Sequence, residues 1–140
     1  MVNLITGPKG SGKTQQMIAL ANERLKTAQG NVVLIKKSQR GTVSADFNIR
    51  VICMADYKDI TTLEEFVGFL YGMIACNHDI ESIFIDGVLK QADINLDNLP
   101  EFLKKLKKFS WDNNIEFYLS ISAERKYLPA IDTGEYNFLQ

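Results

Sequence analysis

Short apolar runs alternate along the chain with longer segments of helical periodicity, and this alternation constrains the fold more than any other feature. The β-prone runs cover residues 2–6, 32–35, 49–52, 83–85 and 115–122. Strands that alternate with helices are joined by right-handed crossovers into a parallel sheet that is covered on both faces. We therefore predict an α/β fold of three layers, α/β/α, with a mostly parallel sheet of about five strands.

Three segments have the pattern of helices that begin or end at recognisable residues. The first helix follows residue 14, and Gly30 supplies a plausible stop. Thr62 and Glu65 have the spacing of a capping box, which begins the second helix. Asn98 can cap the third helix, with Pro100 in its first turn. The apolar positions of the three helices are Met17, Ile18, Ala21, Leu25 and Ala28, then Leu63, Phe66, Val67, Leu70, Tyr71 and Ile74, then Leu99, Phe102, Leu103, Leu106 and Phe109.

Length, charge and composition restrict the class of protein. The 140 residues contain no repeat and no Pro-rich linker, so we predict a single domain over residues 1–140. The 16 basic and 17 acidic side chains leave no basic excess for a nucleic-acid backbone. The longest uncharged stretch, residues 66–77, is too short to span a bilayer. Cys53 and Cys76 are predicted to be buried, reduced thiols, which is typical of a cytoplasmic protein.

A glycine-rich loop lies directly after the first predicted strand and directly before the first predicted helix. It matches the phosphate-binding pattern G-x-x-x-x-G-K-[ST] in full, with Gly7, Pro8, Lys9, Gly10, Ser11, Gly12, Lys13 and Thr14. Glycines let backbone N–H groups converge on an anion, and the following helix directs the positive end of its dipole at the same point. Lys13 adds a cation for the β- and γ-phosphates, and the Thr14 hydroxyl can bind Mg²⁺.

Two later strands end in further candidate residues. An apolar strand ends at Asp86, and in a parallel sheet this carboxylate comes to the edge that carries the loop. Asp86 and Thr14 are therefore the predicted Mg²⁺ residues. At the end of the last strand, Ser120 and Ser122 either position a water or sense the γ-phosphate, or they bond the backbone of the strand end. Together with Lys13 they are the candidate catalytic residues.

Taken together, these motifs resemble those of P-loop NTPases, with residues 7–14 as Walker A and residues 83–86 as Walker B. The order of elements resembles that of the RecA-like branch, in which the last strand lies between the strands that carry Walker A and Walker B. At a closer level, the chain is similar to small bacterial ATP-binding proteins, some of which are labelled twitching-motility ATPases. The resemblance implies a P-loop NTPase fold that binds ATP and Mg²⁺. The guanine-reading pattern N-K-x-D is absent, which favours ATP over GTP by elimination.

The residue after Asp86 departs from the pattern of hydrolytic members of this branch. Those members carry a Glu there that polarises the attacking water, whereas this chain has Gly87. We therefore expect slow intrinsic hydrolysis by an ATPase that acts as a switch or regulator. Two alternatives stay open: a small-molecule kinase of the nucleoside type, and a non-catalytic nucleotide-binding subunit. Because a chain of this length barely accommodates the nucleotide-binding core, we also expect an unidentified protein partner or a homo-oligomer.

Basic and aromatic residues near the same edge of the predicted sheet have two interpretations each. Arg40 either reaches a phosphate or an acceptor substrate, or it is a solvated loop charge. Arg125 and Lys126 either act on the phosphates, in the manner of an arginine finger, or are likewise solvated. The aromatic residues of the tail either pack it onto the sheet or cover an adenine, and they are Tyr127, Tyr136 and Phe138.

Overall fold

A computed structural model describes residues 1–38, 45–46 and 48–139 of the chain. These residues form six strands, β1 Val2–Thr6, β2 Asn31–Lys36, β3 Arg50–Cys53, β4 Ile80–Ile85, β5 Glu116–Ile121 and β6 Asn137–Leu139. They also form three α-helices, α1 Lys13–Thr27, α2 Leu63–Cys76 and α3 Leu99–Asn113. The alternation of strands and helices confirms the predicted α/β class.

The described strands form one sheet in the order β3-β2-β4-β5-β1-β6, and every pairing in it is parallel. β5 lies between β4 and β1, so these three strands are neighbours. The glycine-rich loop follows β1, Asp86 follows β4, and Ser120 lies near the end of β5. The carboxyl ends of these strands meet at one edge of the sheet, where parallel sheets bind their ligands.

Helices cover both faces of this sheet. Successive side chains of a strand point to opposite faces, so neighbouring residues of each strand belong to different cores. One core joins α2 and α3 to the sheet through Val33, Ile35, Ile83, Ile85, Phe117, Leu119 and Ile121. The other core joins α1 to the sheet through Ile5, Val32, Leu34 and Phe84. Residues 117, 119 and 121 of β5 thus all face the core of α2 and α3.

The sheet has one strand more than the sequence predicted, because the tail contributes β6 at its edge. β6 pairs with β1, and Asn3 of β1 accepts a hydrogen bond at 2.9 Å from the side-chain amide of Asn137. Tyr136 is buried, and Phe138 packs against the core of α2 and α3. Tyr127 is 67% exposed and does not share in this packing. Tyr136 and Phe138 thus hold the tail on the sheet.

The helix ends agree with the sequence only in part. The Thr62 hydroxyl accepts from the N–H of Glu65 at 3.1 Å, and the Glu65 carboxylate accepts from the N–H of Thr62 at 2.9 Å, which confirms the capping box. Asn98 occupies the N-cap position of α3, but its side-chain oxygen accepts from the N–H of Asn95 at 2.7 Å and leaves the helix uncapped. α1 ends earlier than the stop predicted at Gly30.

Two residues of α2 are more exposed than the sequence predicted. Cys76 is exposed at the last turn of the helix, so the prediction of two buried thiols holds only for Cys53. Tyr71 is 44% exposed, although its ring lies 4.5 Å from that of Phe109. Apolar spacing along α2 thus does not by itself show which of its positions are buried. Among the described residues, no helix is long and apolar enough to cross a membrane.

Candidate functional site

The glycine-rich loop connects the carboxyl end of β1 to the first turn of α1. Its backbone has positive φ angles of 154° at Gly7, 81° at Gly10 and 85° at Gly12. A Cβ on Gly7 would lie 2.8 Å from the Oγ of Ser11, so only glycine lets the loop close this tightly. The N–H of Gly7 donates to the carbonyl oxygen of Ala123 at 3.0 Å, which fastens the loop to the segment after β5.

Lys13, the first residue of α1, is only 8% exposed. Its ammonium donates to the carbonyl oxygens of Gly7 at 3.1 Å and Pro8 at 2.8 Å, and it contacts the Oγ of Ser11 at 3.4 Å. Burial lowers the pKa of Lys13 below its usual 10.5, and the carboxylate of Asp86 opposes that shift. The loop therefore holds the ammonium of Lys13 against its own backbone carbonyl oxygens.

Asp86 lies directly after β4, and its carboxylate joins the loop to β5. The Thr14 hydroxyl donates to Oδ2 of Asp86 at 3.0 Å, and the Ser120 hydroxyl donates to Oδ1 at 2.9 Å. The Oγ of Ser120 also accepts from the N–H of Gly87 at 2.7 Å, the backbone contact that was one of its two predicted roles. The structure thus brings Thr14, Asp86 and Ser120 together from three separate elements.

A cavity of about 260 Å³ opens between the loop and the carboxyl ends of β4 and β5. Ser122 lies at its edge and is exposed, whereas Ser120 is buried. Among the predicted loop residues, Gly7, Pro8 and Ser11 do not line the cavity but bond to Lys13. Three lysines and one carboxylate make the lining electropositive, as an anion site requires. The lining residues are Lys9, Gly10, Gly12, Lys13, Thr14, Gln15, Asp86, Gly87, Lys90, Ser120 and Ser122.

Sequence reasoning missed three residues that surround Asp86. Lys90 ends a short 3₁₀ turn, Val88–Lys90, and lines the cavity. Lys36 ends β2 and is 4% exposed; burial lowers its pKa, and Asp86 is the first of the charges that oppose the shift. Gln91 is fully buried, and its side-chain amide donates to the carbonyl oxygen of Asp86 at 3.3 Å and to that of the following residue at 3.4 Å. Their one common signal is that each closely follows a strand that ends at this edge of the sheet.

The other basic residues that the sequence offered lie elsewhere. The guanidinium of Arg125 donates to both carboxylate oxygens of Asp132, at 3.0 and 2.8 Å, and lies 4.1 Å from the ring centre of Phe138. Lys126 pairs with a neighbouring carboxylate at 3.3 Å. Neither side chain lines the cavity that the described residues form. Arg40 lies outside the described residues.

The donor set suits phosphates and a single hard cation. Within residues 1–38, 45–46 and 48–139, no cluster of three or more His, Cys, Asp or Glu side chains could hold a metal ion. A Mg²⁺ ion would therefore depend on Thr14 and Asp86, with phosphate and water oxygens as its other ligands. In the same part of the chain, Asp86 is the only acidic side chain in the cavity lining. No protein-family model matches the chain, and no curated protein matches it.

Proposed function

We propose that this protein binds Mg·ATP in the cavity beside Asp86, as a slow P-loop ATPase that acts as a nucleotide-dependent switch. The observation that carries the proposal is the 3.0 Å hydrogen bond from Thr14 to Asp86, which joins the loop motif to a strand-end carboxylate 72 positions later. P-loop proteins need these two groups side by side, because both serve the same Mg²⁺. The proposed fold is accordingly a three-layer P-loop NTPase fold of the RecA-like type, with β5 between β4 and β1.

The loop and Lys13 are the proposed phosphate-binding groups. Gly10 and Gly12 have no side chain and have positive φ angles, the backbone conformation by which successive N–H groups converge on an anion. The first turn of α1 adds the positive end of a helix dipole at the same point. Lys13 bonds two neutral carbonyl oxygens, and a phosphate is a stronger partner because the hydrogen bond then joins opposite charges.

Thr14 and Asp86 are the proposed Mg²⁺ residues, and the ion would neutralise charge on the β- and γ-phosphates when bound. Ser120 fixes the orientation of the Asp86 carboxylate by its hydrogen bond to Oδ1. A carboxylate oxygen has two lone pairs, so each oxygen of Asp86 keeps one acceptor position beside its hydroxyl partner. Ser120 is therefore a positioning residue in this proposal.

Slow hydrolysis is supported by what lines the cavity. Gly87 has no side chain to act as a base, and Asp86 is already bonded to two hydroxyls. In the described part of the chain, no second carboxylate faces the cavity. We therefore expect turnover well below the roughly 1–100 per second of ordinary enzymes, and faster turnover only with a protein partner or on self-assembly.

Calorimetry of nucleotide binding tests the site. Wild-type protein is expected to bind Mg·ATP, and Lys13→Ala is expected to lose this binding because the phosphates lose their buried cation. Asp86→Asn should weaken binding with Mg²⁺ more than binding without it. The matched control is Lys105→Ala, because Lys105 is an exposed lysine of α3 and its loss leaves the cavity intact. Unchanged affinity in Lys13→Ala would contradict the phosphate site.

ADP formation by the purified protein tests the activity. Slow release of ADP and phosphate that disappears in Lys13→Ala supports the ATPase, and turnover in the ordinary enzyme range contradicts the role of Gly87. A burst of ADP that depends on an added metabolite would favour the kinase alternative instead. Bound nucleotide that changes the oligomeric mass without forming ADP would favour the non-catalytic subunit.

A further inference from the structure

The turn after Asp86 carries an additional cation into the cavity. The turn begins at Gly87 and ends at Lys90, whose N–H donates to the carbonyl oxygen of Gly87 at 2.9 Å. The side chain of Lys90 lines the same cavity as Lys13. Lys90 follows β4 and Lys13 follows β1, and these two strands lie on either side of β5.

Two buried residues hold the backbone of this turn in place. Val88 is fully buried in the core of α2 and α3. Gln91 is also fully buried, and its side-chain amide donates to the carbonyl oxygens of Asp86 and Gly87. Two buried anchors thus flank Lys90 on either side in sequence. The backbone at Lys90 is therefore fixed, and its side chain is exposed at the cavity.

Gly87 makes room for the stem of Lys90. The φ angle of Gly87 is 75°, which side chains disfavour. A Cβ placed on Gly87 would lie 3.2 Å from the Cδ of Lys90 and 3.6 Å from its Cγ. The position at which hydrolytic members of the resembled branch carry a Glu therefore lies against the stem of Lys90.

The charge of Lys90 acts across the whole site. It lowers the pKa of Lys13 and that of Lys36, although burial is the larger cause in both cases. Lys13 follows β1 and Lys36 ends β2, so Lys90 is close to side chains from both sides of β4 and β5. Asp86 opposes the shift in the pKa of both lysines.

We infer that Lys90 binds the terminal phosphate of the nucleotide and so makes the site prefer a triphosphate to a diphosphate. The inference rests on the proposed function, because it assumes that the cavity holds Mg·ATP. Because a Mg²⁺ ion held by Thr14 and Asp86 would serve the β- and γ-phosphates, we expect the γ-phosphate on the side of the cavity that carries Asp86. Lys90 follows Asp86 on that side, so it adds a further cation for the γ-phosphate beside Lys13, which serves both phosphates. A diphosphate lacks the group that Lys90 would bind.

Binding of two nucleotides to matched variants tests this role. The probes are a non-hydrolysable Mg·ATP analogue and Mg·ADP, each titrated by calorimetry. Lys90→Met is expected to raise the Kd of the triphosphate about tenfold and to change that of ADP by less than about twofold, since one charge-assisted contact is lost. Lys90→Arg keeps the charge and is expected to retain most of the preference. Lys9→Met, which removes a cavity lysine on the loop, should weaken both nucleotides alike.

Each outcome distinguishes the two proposals. Equal losses for the two nucleotides in Lys90→Met, or no loss for either, would overturn the role of Lys90 while the wild-type affinity upholds the nucleotide site. Failure of the wild-type protein to bind either nucleotide would overturn both proposals. Gly87→Ala gives an independent check, because the added Cβ displaces the stem of Lys90 and is expected to reduce the same preference. A thermal melt of each variant shows whether it is folded.

Discussion

Replacing Ser120 by Ala tests the two hydrogen bonds that hold Asp86 and Gly87 in place at the candidate site. Ser120 is 1% exposed, and its hydroxyl donates to Asp86 at 2.9 Å and accepts from the N–H of Gly87 at 2.7 Å. Alanine leaves the half-buried carboxylate and N–H each short of one partner. The loss of a partner by such groups costs about 1–3 kcal/mol, so we expect the free energy of unfolding to fall by about 2 kcal/mol.

Urea unfolding and a thermal melt measure this loss. Melting entropy is about 2.1 cal/mol/K per residue, so a loss of about 2 kcal/mol lowers the Tm of 140 residues by about 7 °C. The urea m-value should not change, because the variant exposes the same surface on unfolding. Ser122→Ala is the matched control, because Ser122 directly follows β5 and is exposed. This variant should change the free energy of unfolding by less than about 0.5 kcal/mol.

A small effect of Ser120→Ala would contradict the role given to its hydroxyl. If Ser120→Ala unfolds within about 0.5 kcal/mol of the wild type, the two hydrogen bonds of Ser120 do not hold Asp86 and Gly87 in place. The same conclusion follows if Ser122→Ala loses as much stability as Ser120→Ala. In either case Asp86 would have to be oriented by Thr14 alone.

Two predictions concern the capping box at the start of α2. Thr62→Ala removes the hydroxyl that accepts from the N–H of Glu65 and is expected to lower the free energy of unfolding in urea by about 1 kcal/mol. Thr61→Ala keeps that bond and loses only the exposed hydrogen bond from its own hydroxyl to Glu65 at 3.1 Å, so it should cost less. Hydrogen bonds from the N–H groups of Thr61 and Thr62 lower the pKa of Glu65 below its usual 4.5. The stability that this carboxylate supplies is therefore present above that value and lost as the pH falls through the folded-state pKa. The stability difference between wild type and Glu65→Gln should accordingly shrink on acidification, and a difference that does not vary with pH would contradict the shift.

The sequence predicted the parts of the site that its strands carry. The alternation of strands and helices implies a parallel sheet, and a parallel sheet brings the ends of its neighbouring strands together. That rule was enough to place Asp86 and Thr14 at one edge. It also placed Ser120 there, because β5 ends at the same edge of the sheet as β4.

The parts that the sequence missed lack a repeating pattern of their own. β6 has three residues, and its pairing is set by β1 and by the bond from Asn137 to Asn3. Lys90 lies on a single 3₁₀ turn, where no periodicity marks which side chain enters the cavity. Asn98 has the residue type of an N-cap, yet the adjoining loop engages its side chain first. In each case a partner far away or a local turn decides the structure.

The position of β1 in the sheet has a consequence for biosynthesis. β1 carries the loop, but its neighbours in the sheet are β5 and β6, and Asn3 bonds to Glu116 across 113 positions of the chain. A nascent chain leaves the ribosome from its amino end, so β1 and its loop emerge long before either neighbour exists. Pairing over such a separation is slow to form and comes late in folding. The loop therefore emerges before β5 and β6, but its strand is paired only after both have been made. A chain interrupted before β5 would contain the whole loop motif and lack both strands that pair with β1.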